Sequence, residues 1–223
     1  MKILSIDTST KFLCLGLYDG AKVFEYNLEV GTKLSTLITV TIKRVLEASG
    51  LSLEKIDYFA CGLGPGSFTG LRVGIATIKG LGWVAKKPIV GVSTLDILAK
   101  NAKASDKLII PMIDARRNLI YCSAYKNKNG QLKRVKPYML LSEDDFFKHF
   151  RANSVILGDA IGIYREKILK NIKGAELLDK DYWYPKAHNL IELALEKIKA
   201  NKISDAFNIK PVYLYPKECQ IRK

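Results

Sequence analysis

Residues 2–29 read KILSIDTSTKFLCLGLYDGAKVFEYNLE, and the reading of this stretch decides the fold. The runs 2–7, 12–18 and 22–29 are rich in leucine, isoleucine, valine and aromatic residues, the composition of short strands. Asp19-Gly20, between the second and third runs, is a strong hairpin signal, because a tight two-residue turn calls for positive φ. Helical periodicity follows at once. Leu34, Leu37, Ile38, Thr41, Ile42, Val45 and Leu46 form one stripe of a helix over 33–48. A strand at 56–63, a glycine-rich loop, a helix at 70–86, a strand at 89–92 and a short helix capped by Ser93 complete the series.

The same order recurs from residue 107 onward. Strands are expected at 107–114, 118–126 and 131–139, with Asn129-Gly130 turning the second hairpin. Ser142, with Asp145 three residues on, caps a helix over 143–151. A strand at 154–158, a helix at 161–170, a short strand at 175–178 and a helix at 187–201 follow. The pattern β-β-β-α-β-α-β-α therefore appears twice, and both first strands end in Ile-Asp: Ile6-Asp7-Thr8-Ser9 and Ile113-Asp114-Ala115-Arg116. Such units give α/β lobes with mixed sheets under helices. In tandem they resemble the actin-like (ASKHA, ribonuclease H-like) architecture, here with a degenerate second lobe. The expected lobes are 1–102 and 103–223. The last segment, about 203–223, is a candidate to pack back on the first lobe, and Pro216 and the basic tail are expected to fray. This likeness of fold leaves function open.

The chain has 223 residues, 48% hydrophobic and 26% charged, which excludes collagen-like, low-complexity and wholly disordered classes. No window approaches a membrane-spanning helix, and Asp7 stands where a signal peptide would be apolar. A cytoplasmic protein without membrane contact is expected. Cys14, Cys61, Cys122 and Cys219 form no Cys-x-x-Cys pair, and with only His149 and His188 no zinc spacing is complete. No metal site is expected, and Cys14, Cys61 and Cys122, inside apolar runs, read as small hydrophobes. The formal net charge is +14, and residues 101–223 carry 24 basic and 14 acidic groups. An excess of this size favours polyanionic neighbours. The lysines nevertheless read as scattered, as on surfaces that are basic for solubility alone.

Gly64, Pro65, Gly66, Ser67, Phe68, Thr69, Gly70, Leu71, Arg72, Val73 and Gly74 form the most informative motif. A glycine loop at a helix start offers free N–H groups to an anion. It lacks the Gly-Lys-Ser/Thr ending of a P-loop and the Gly-x-Gly-x-x-Gly spacing of a dinucleotide site, and Pro65 removes a donor. Equally, the glycines permit a tight turn and a close helix approach. Arg72 falls early in the helix, where a cation opposes the dipole, so a carboxylate or a partner compensates it, or it is simply a surface arginine. The loop Asp7-Thr8-Ser9 suits phosphate or magnesium. Its counterpart Asp114-Ala115-Arg116-Arg117 carries bulky side chains instead of a backbone cradle, and only Gly158-Asp159 stands where a glycine pair supports adenosine. Half a nucleotide site is visible.

Two helices argue for a partner. The outer face of 33–48 begins Ser35, Thr36, Thr39 and Val40, with no charge before Lys43, and six of the seven residues 36–42 are β-branched. Helix 70–86 is apolar nearly all round, which implies burial on every side by this chain or by another subunit. No nucleophile is grouped with His149 or His188, and Ser67 is not in a Gly-x-Ser-x-Gly elbow.

The motif GPGSFTGLRVG at 64–74 closely resembles the signature of the TsaB (YeaZ) family. Ile6-Asp7-Thr8-Ser9, Gly91-Val92-Ser93-Thr94-Leu95, Asp114-Ala115-Arg116-Arg117 and Pro211-Val212-Tyr213-Leu214 extend the resemblance along most of the chain. It implies a non-catalytic subunit for threonylcarbamoyladenosine formation at tRNA position 37. Such a subunit would partner a TsaD-type transferase and a TsaE-type ATPase, and reach tRNA through the complex. It also implies pairing through the two N-terminal helices, with the isolated chain forming a homodimer. The positions for that surface are Leu34, Ser35, Thr36, Thr39, Val40, Lys43, Gly70, Leu71, Arg72, Gly74, Ile75 and Ile78, beside the signature loop Gly64–Thr69. Asp7, Thr8, Ser9, Asp114, Arg116 and Arg117 would be vestigial nucleotide loops, with ATP or ADP and Mg on partner subunits and no cofactor bound by this chain alone. Two positions depart from the family pattern: Leu34, often His, and Tyr215, usually Arg. From other classes, an actin-like ATP-dependent kinase or hydrolase is the alternative reading, and a stand-alone RNA-binding module a third.

Overall fold

The computed structural model describes residues 1–215 except Ala152, so Pro216, Cys219 and the basic tail lie outside the described residues. The described residues divide into two units, 1–97 with 185–212, and 98–184 with 213–215.

The first unit contains β1 (Ile3–Asp7), β2 (Phe12–Tyr18), β3 (Val23–Glu29), α1 (Leu34–Ala48), β4 (Tyr58–Gly62), α2 (Phe68–Ala85) and β5 (Ile89–Val92). They make one sheet in the order β3-β2-β1-β4-β5. The β1–β2 and β2–β3 pairs are antiparallel, and β1–β4 and β4–β5 parallel. Alternation on β1 sorts its side chains. Leu4 and Ile6 join Ile38, Ile42, Val45, Leu71, Ile75 and Ile78 of α1 and α2 on one face, whereas Ile3 faces the other way. There it meets Leu190 and Ala194 of α6 (Ala187–Lys199).

The helix that the sequence order assigns to the second lobe thus covers the first sheet. The return to the first unit begins near residue 185, well before 203. The physical reason is a fitted face. Ala187, Leu190, Ile191 and Ala194 are all buried, and a Cβ on Gly16 would lie 2.7 Å from the Cβ of Ala187. Glu25 of β3 completes the fit. Its Oε1 accepts from the Ala187 N–H at 2.5 Å, and its Oε2 lies 2.8 Å from Nδ1 of His188, a carboxylate at a helix N-terminus.

Helix α3 (Thr94–Ala99) begins in the first unit and ends in the second, which then contains β6 (Leu108–Asp114), β7 (Leu119–Lys128), β8 (Gln131–Ser142), α4 (Glu143–His149), β9 (Ser154–Leu157), α5 (Ile161–Asn171) and β10 (Glu176–Leu177). The sheet order is β10-β9-β6-β7-β8, the first sheet's order repeated, with the same parallel and antiparallel junctions. The duplicated order is that of an actin-like α/β fold. Ser142 caps α4 as expected: its Oγ accepts from the Asp145 N–H at 3.2 Å and donates to Asp145 Oδ2 at 2.8 Å. Ser93 instead donates its hydroxyl to the Gly64 carbonyl at 3.1 Å.

Candidate functional site

The signature loop is explained first by packing. Helix α2 starts at Phe68, two residues earlier than the periodicity suggests, because Ser67 Oγ accepts from the Gly70 N–H at 3.2 Å. Thr8 crosses the first turns of this helix and donates its hydroxyl to the Gly70 carbonyl at 2.8 Å. A Cβ on Gly70 would sit 2.1 Å from the Thr8 carbonyl oxygen, and one on Gly74 2.1 Å from Thr8 Oγ1. A Cβ on Gly66 would meet the Ser9 carbonyl at 2.4 Å, the same oxygen that accepts from the Ser67 N–H at 2.7 Å. The glycines therefore let the loop after β1 lie directly on α2. Gly64, at φ +86, precedes a cis bond to Pro65 and closes the network through Thr94: the Thr94 N–H donates to its carbonyl at 2.8 Å.

Asp7 is the hub of that network. Its Oδ1 accepts from the Ser9 N–H at 2.8 Å and the Ser9 hydroxyl at 2.5 Å, and its Oδ2 accepts from Thr94 Oγ1 at 2.7 Å. Asp7, Thr8 and Ser9 are buried, and burial pushes the Asp7 carboxyl up against the opposing pull of the Ser9 and Thr94 bonds. Both carboxylate oxygens accept hydrogen bonds from the protein itself, Oδ1 within the loop and Oδ2 from the first residue of α3.

The matching loop of the second unit is built differently. Arg116, Arg117 and Asn118 stand in succession at φ +64, +53 and +57, a left-handed run without glycine. Asp114 steadies it, accepting from the Arg116 N–H at 2.8 Å and pairing with the Arg116 guanidinium at 3.1 Å. Tyr215 donates its hydroxyl to the Ala115 carbonyl at 2.8 Å, which gives this departure from the family pattern a place in the structure. Asp159 accepts from the Asp114 N–H at 3.0 Å, and burial, aided by the Asp114 charge, raises its pKa to about 6. Gly158, at φ +115, presses on the Met112 carbonyl, where a Cβ would come within 2.0 Å. A close crossing of backbones is reason enough for that glycine.

The outer faces of α1 and α2 correct the expected surface. Ser35, Thr36, Thr39, Val40 and Lys43 are exposed, as is Arg72. Leu34, Gly70, Leu71, Gly74, Ile75 and Ile78 point inward and are buried, so they support the face without forming it. Once α2 begins at Phe68, its solvent stripe runs through Phe68, Thr69, Arg72, Ala76, Gly80 and Trp83. Arg72 sits two positions deeper in the helix than expected, and its guanidinium lies over the Phe68 ring, 3.8 Å from the centroid. Trp83 and Val84 are 67% and 71% exposed, and sequence reasoning missed them because an apolar helix gives no hint of which residues face out. An open cleft of about 620 Å3 lies beside them, lined by Trp83, Lys86, Lys87, Ile203 and Phe207. Among the described residues no cluster of His, Cys, Asp or Glu is arranged to hold a metal ion. Nor is any helix long and apolar enough to cross a membrane. Cys14, Cys61 and Cys122 are free and buried; burial pushes Cys61 and Cys122 up to about 12.

Residues 29–153 match the family model of TsaD, tRNA N6-adenosine threonylcarbamoyltransferase. The tRNA threonylcarbamoyladenosine biosynthesis protein TsaB of Bacillus subtilis is 31% identical over 172 residues, 75% of each chain. The chain belongs to the TsaB (YeaZ) family. The TsaB of Escherichia coli is 29% identical over 220 residues, 96% of this chain and 94% of that protein. A solved structure of YeaZ from Pseudomonas aeruginosa superimposes with a TM-score of 0.81 at 25% identity, covering 96% of this chain and 99% of that one. A second Pseudomonas aeruginosa structure, described as similar to peptidase YEAZ, gives 0.84 at 24% identity. Membership in the TsaB family places the chain in tRNA threonylcarbamoyladenosine biosynthesis.

Proposed function

We propose that the chain is a non-catalytic subunit for threonylcarbamoyladenosine formation at tRNA position 37, binding and activating a TsaD-type transferase together with a TsaE-type ATPase. The observation that carries this reading is the exposed face of α1 and α2. Thr36, Thr39 and Val40 are β-branched residues that a solvated helix does not favour, and Ala76 and Gly80 leave α2 flat enough for another helix to approach closely. Arg72, stacked on Phe68 within this face, is the charge a partner would meet. The isolated chain pairs with itself through the same surface.

Nucleotide and Mg belong to the partner subunits in this reading. The commitment of both Asp7 oxygens to Ser9 and Thr94 supports it, as does the arginine-bearing turn where a phosphate cradle would need small residues. The test is labelled-threonine incorporation into tRNA, with a threonylcarbamoyl-adenylate synthase, TsaD and TsaE from the same organism, with and without this chain. Incorporation that depends on the chain, from a chain that alone neither hydrolyses ATP nor modifies tRNA, is the expected result. Equal incorporation without it, or tight Mg-ATP binding by the chain alone, would favour the actin-like kinase or hydrolase.

A further inference from the structure

We propose that the β7–β8 hairpin of the second unit is a docking surface for the phosphate backbone of RNA. Between Asp114 and Glu143 the chain carries seven basic residues, Arg116, Arg117, Lys126, Lys128, Lys133, Arg134 and Lys136, and no acidic residue. The sheet gathers five of them on one hairpin, all exposed. Lys126 of β7 lies directly opposite Lys133 of β8, and Lys128, two residues on, shares their face. None of Lys126, Lys128, Lys133 or Lys136 is in an ion pair among the described residues. The support beneath is firm: Asn127 Nδ2 donates to the Lys103 carbonyl at 2.6 Å, and Arg134 lies over the Tyr138 ring, 3.9 Å from its centroid.

Protection of an exposed edge strand accounts for Pro137 and for some lysines on β8. It does not account for two lysines, Lys126 and Lys133, at directly opposed positions of the β7–β8 pair. Like charges so placed destabilise a sheet, and a polyanion laid across them removes the penalty. Evenly spread phosphates fit a row of point charges without base contacts, and each neutralised phosphate releases counterions. The choice of RNA over another polyanion rests on the proposed role in tRNA modification.

The test is binding of a labelled, unmodified tRNA transcript to the full chain across a salt series, for the parent, for K126Q/K128Q/K133Q and for a control with equal charge loss, K55Q/K170Q/K180Q. The hairpin variant is expected to lose about tenfold or more in affinity at 100 mM salt. Its slope of log K against log salt should fall by roughly two to three, about 0.7–0.9 per lost phosphate contact. Its melting temperature should stay level or rise, since the Lys126–Lys133 repulsion is gone. The control should keep the parent's slope. Equal loss in both variants, or no tRNA binding by the parent, overturns the proposal. Hairpin-dependent binding to phosphatidylserine vesicles without tRNA binding overturns it in favour of a membrane surface. These outcomes are read without TsaD or TsaE, so they stand apart from the incorporation assay.

Discussion

At the residue scale, glycines of one helix act in opposite senses. Gly70 and Gly74 face Thr8 with no room for a methyl group, whereas a Cβ on Gly80 would meet nothing within 4 Å. Gly74→Ala is therefore expected to cost about 1–3 kcal/mol by overpacking. Gly80→Ala should stabilise by up to about 1 kcal/mol through helix propensity, while weakening pairing if α2 docks closely at that point. Urea unfolding of both variants, with sedimentation of the second, checks the pair. Asp159 supplies a pH dependence. Its pKa is about 6 in the folded chain against 3.8 for an ordinary solvated aspartate, so the folded state holds the proton more tightly. Stability is then greatest below about pH 4 as far as this group is concerned, and is lost as pH rises through 4 to 6. Asp159→Asn keeps an acceptor for the Asp114 N–H. It should match the parent at pH 4 and exceed it at pH 7.5 by up to about 3 kcal/mol. Identical melting differences at the two pH values would count against this assignment.

At the element scale, α1 separates fold from contact by face. Ile42 and Val45 are buried, and Ile42→Ala should cost about 2–5 kcal/mol. Thr39 is exposed on the opposite side. Thr39→Glu should leave the melting temperature within a degree or two and abolish self-pairing, read by sedimentation; unchanged pairing would move the docking face elsewhere. Helix α6 depends on a carboxylate from another element, Glu25. Glu25→Ala leaves the Ala187 N–H without its acceptor and should cost about 0.5–2 kcal/mol, the usual loss for an N-terminal cap. The periodicity of 187–201 announces a helix, and its small apolar face, but not which sheet that face will meet.

At the scale of the whole molecule, the first unit is not contiguous in sequence. Without residues 185–212 the lower face of its sheet, Ile3, Ala60, Val90 and Val92, loses Leu190 and Ala194. A fragment of residues 1–102 should melt without a cooperative transition and bind hydrophobic dyes. Adding 185–212 through a flexible linker should restore a single transition by circular dichroism. Failure of that rescue would show that the first unit does not fold on its own.

The strand and helix order, the duplication and the signature loop are all written in local signals: hairpin dipeptides, period-two and period-3.6 hydrophobicity, and glycines at a strand-to-helix turn. Those signals act between residues close in the chain, so Asp19-Gly20 and Asn129-Gly130 mark their turns and Ser142 marks its helix without help from the rest. What only the tertiary structure decided involves groups far apart in sequence. Thr8 must cross α2 before Gly70 and Gly74 acquire a reason, and Asp7 must meet Thr94 before its carboxylate is seen to be committed. Lys126 and Lys133 look scattered along the chain and become neighbours only when the hairpin closes. Which side of an all-apolar helix faces water, and which sheet α6 covers, depend on the surface available to bury. That quantity belongs to the assembled molecule, and no window of sequence contains it.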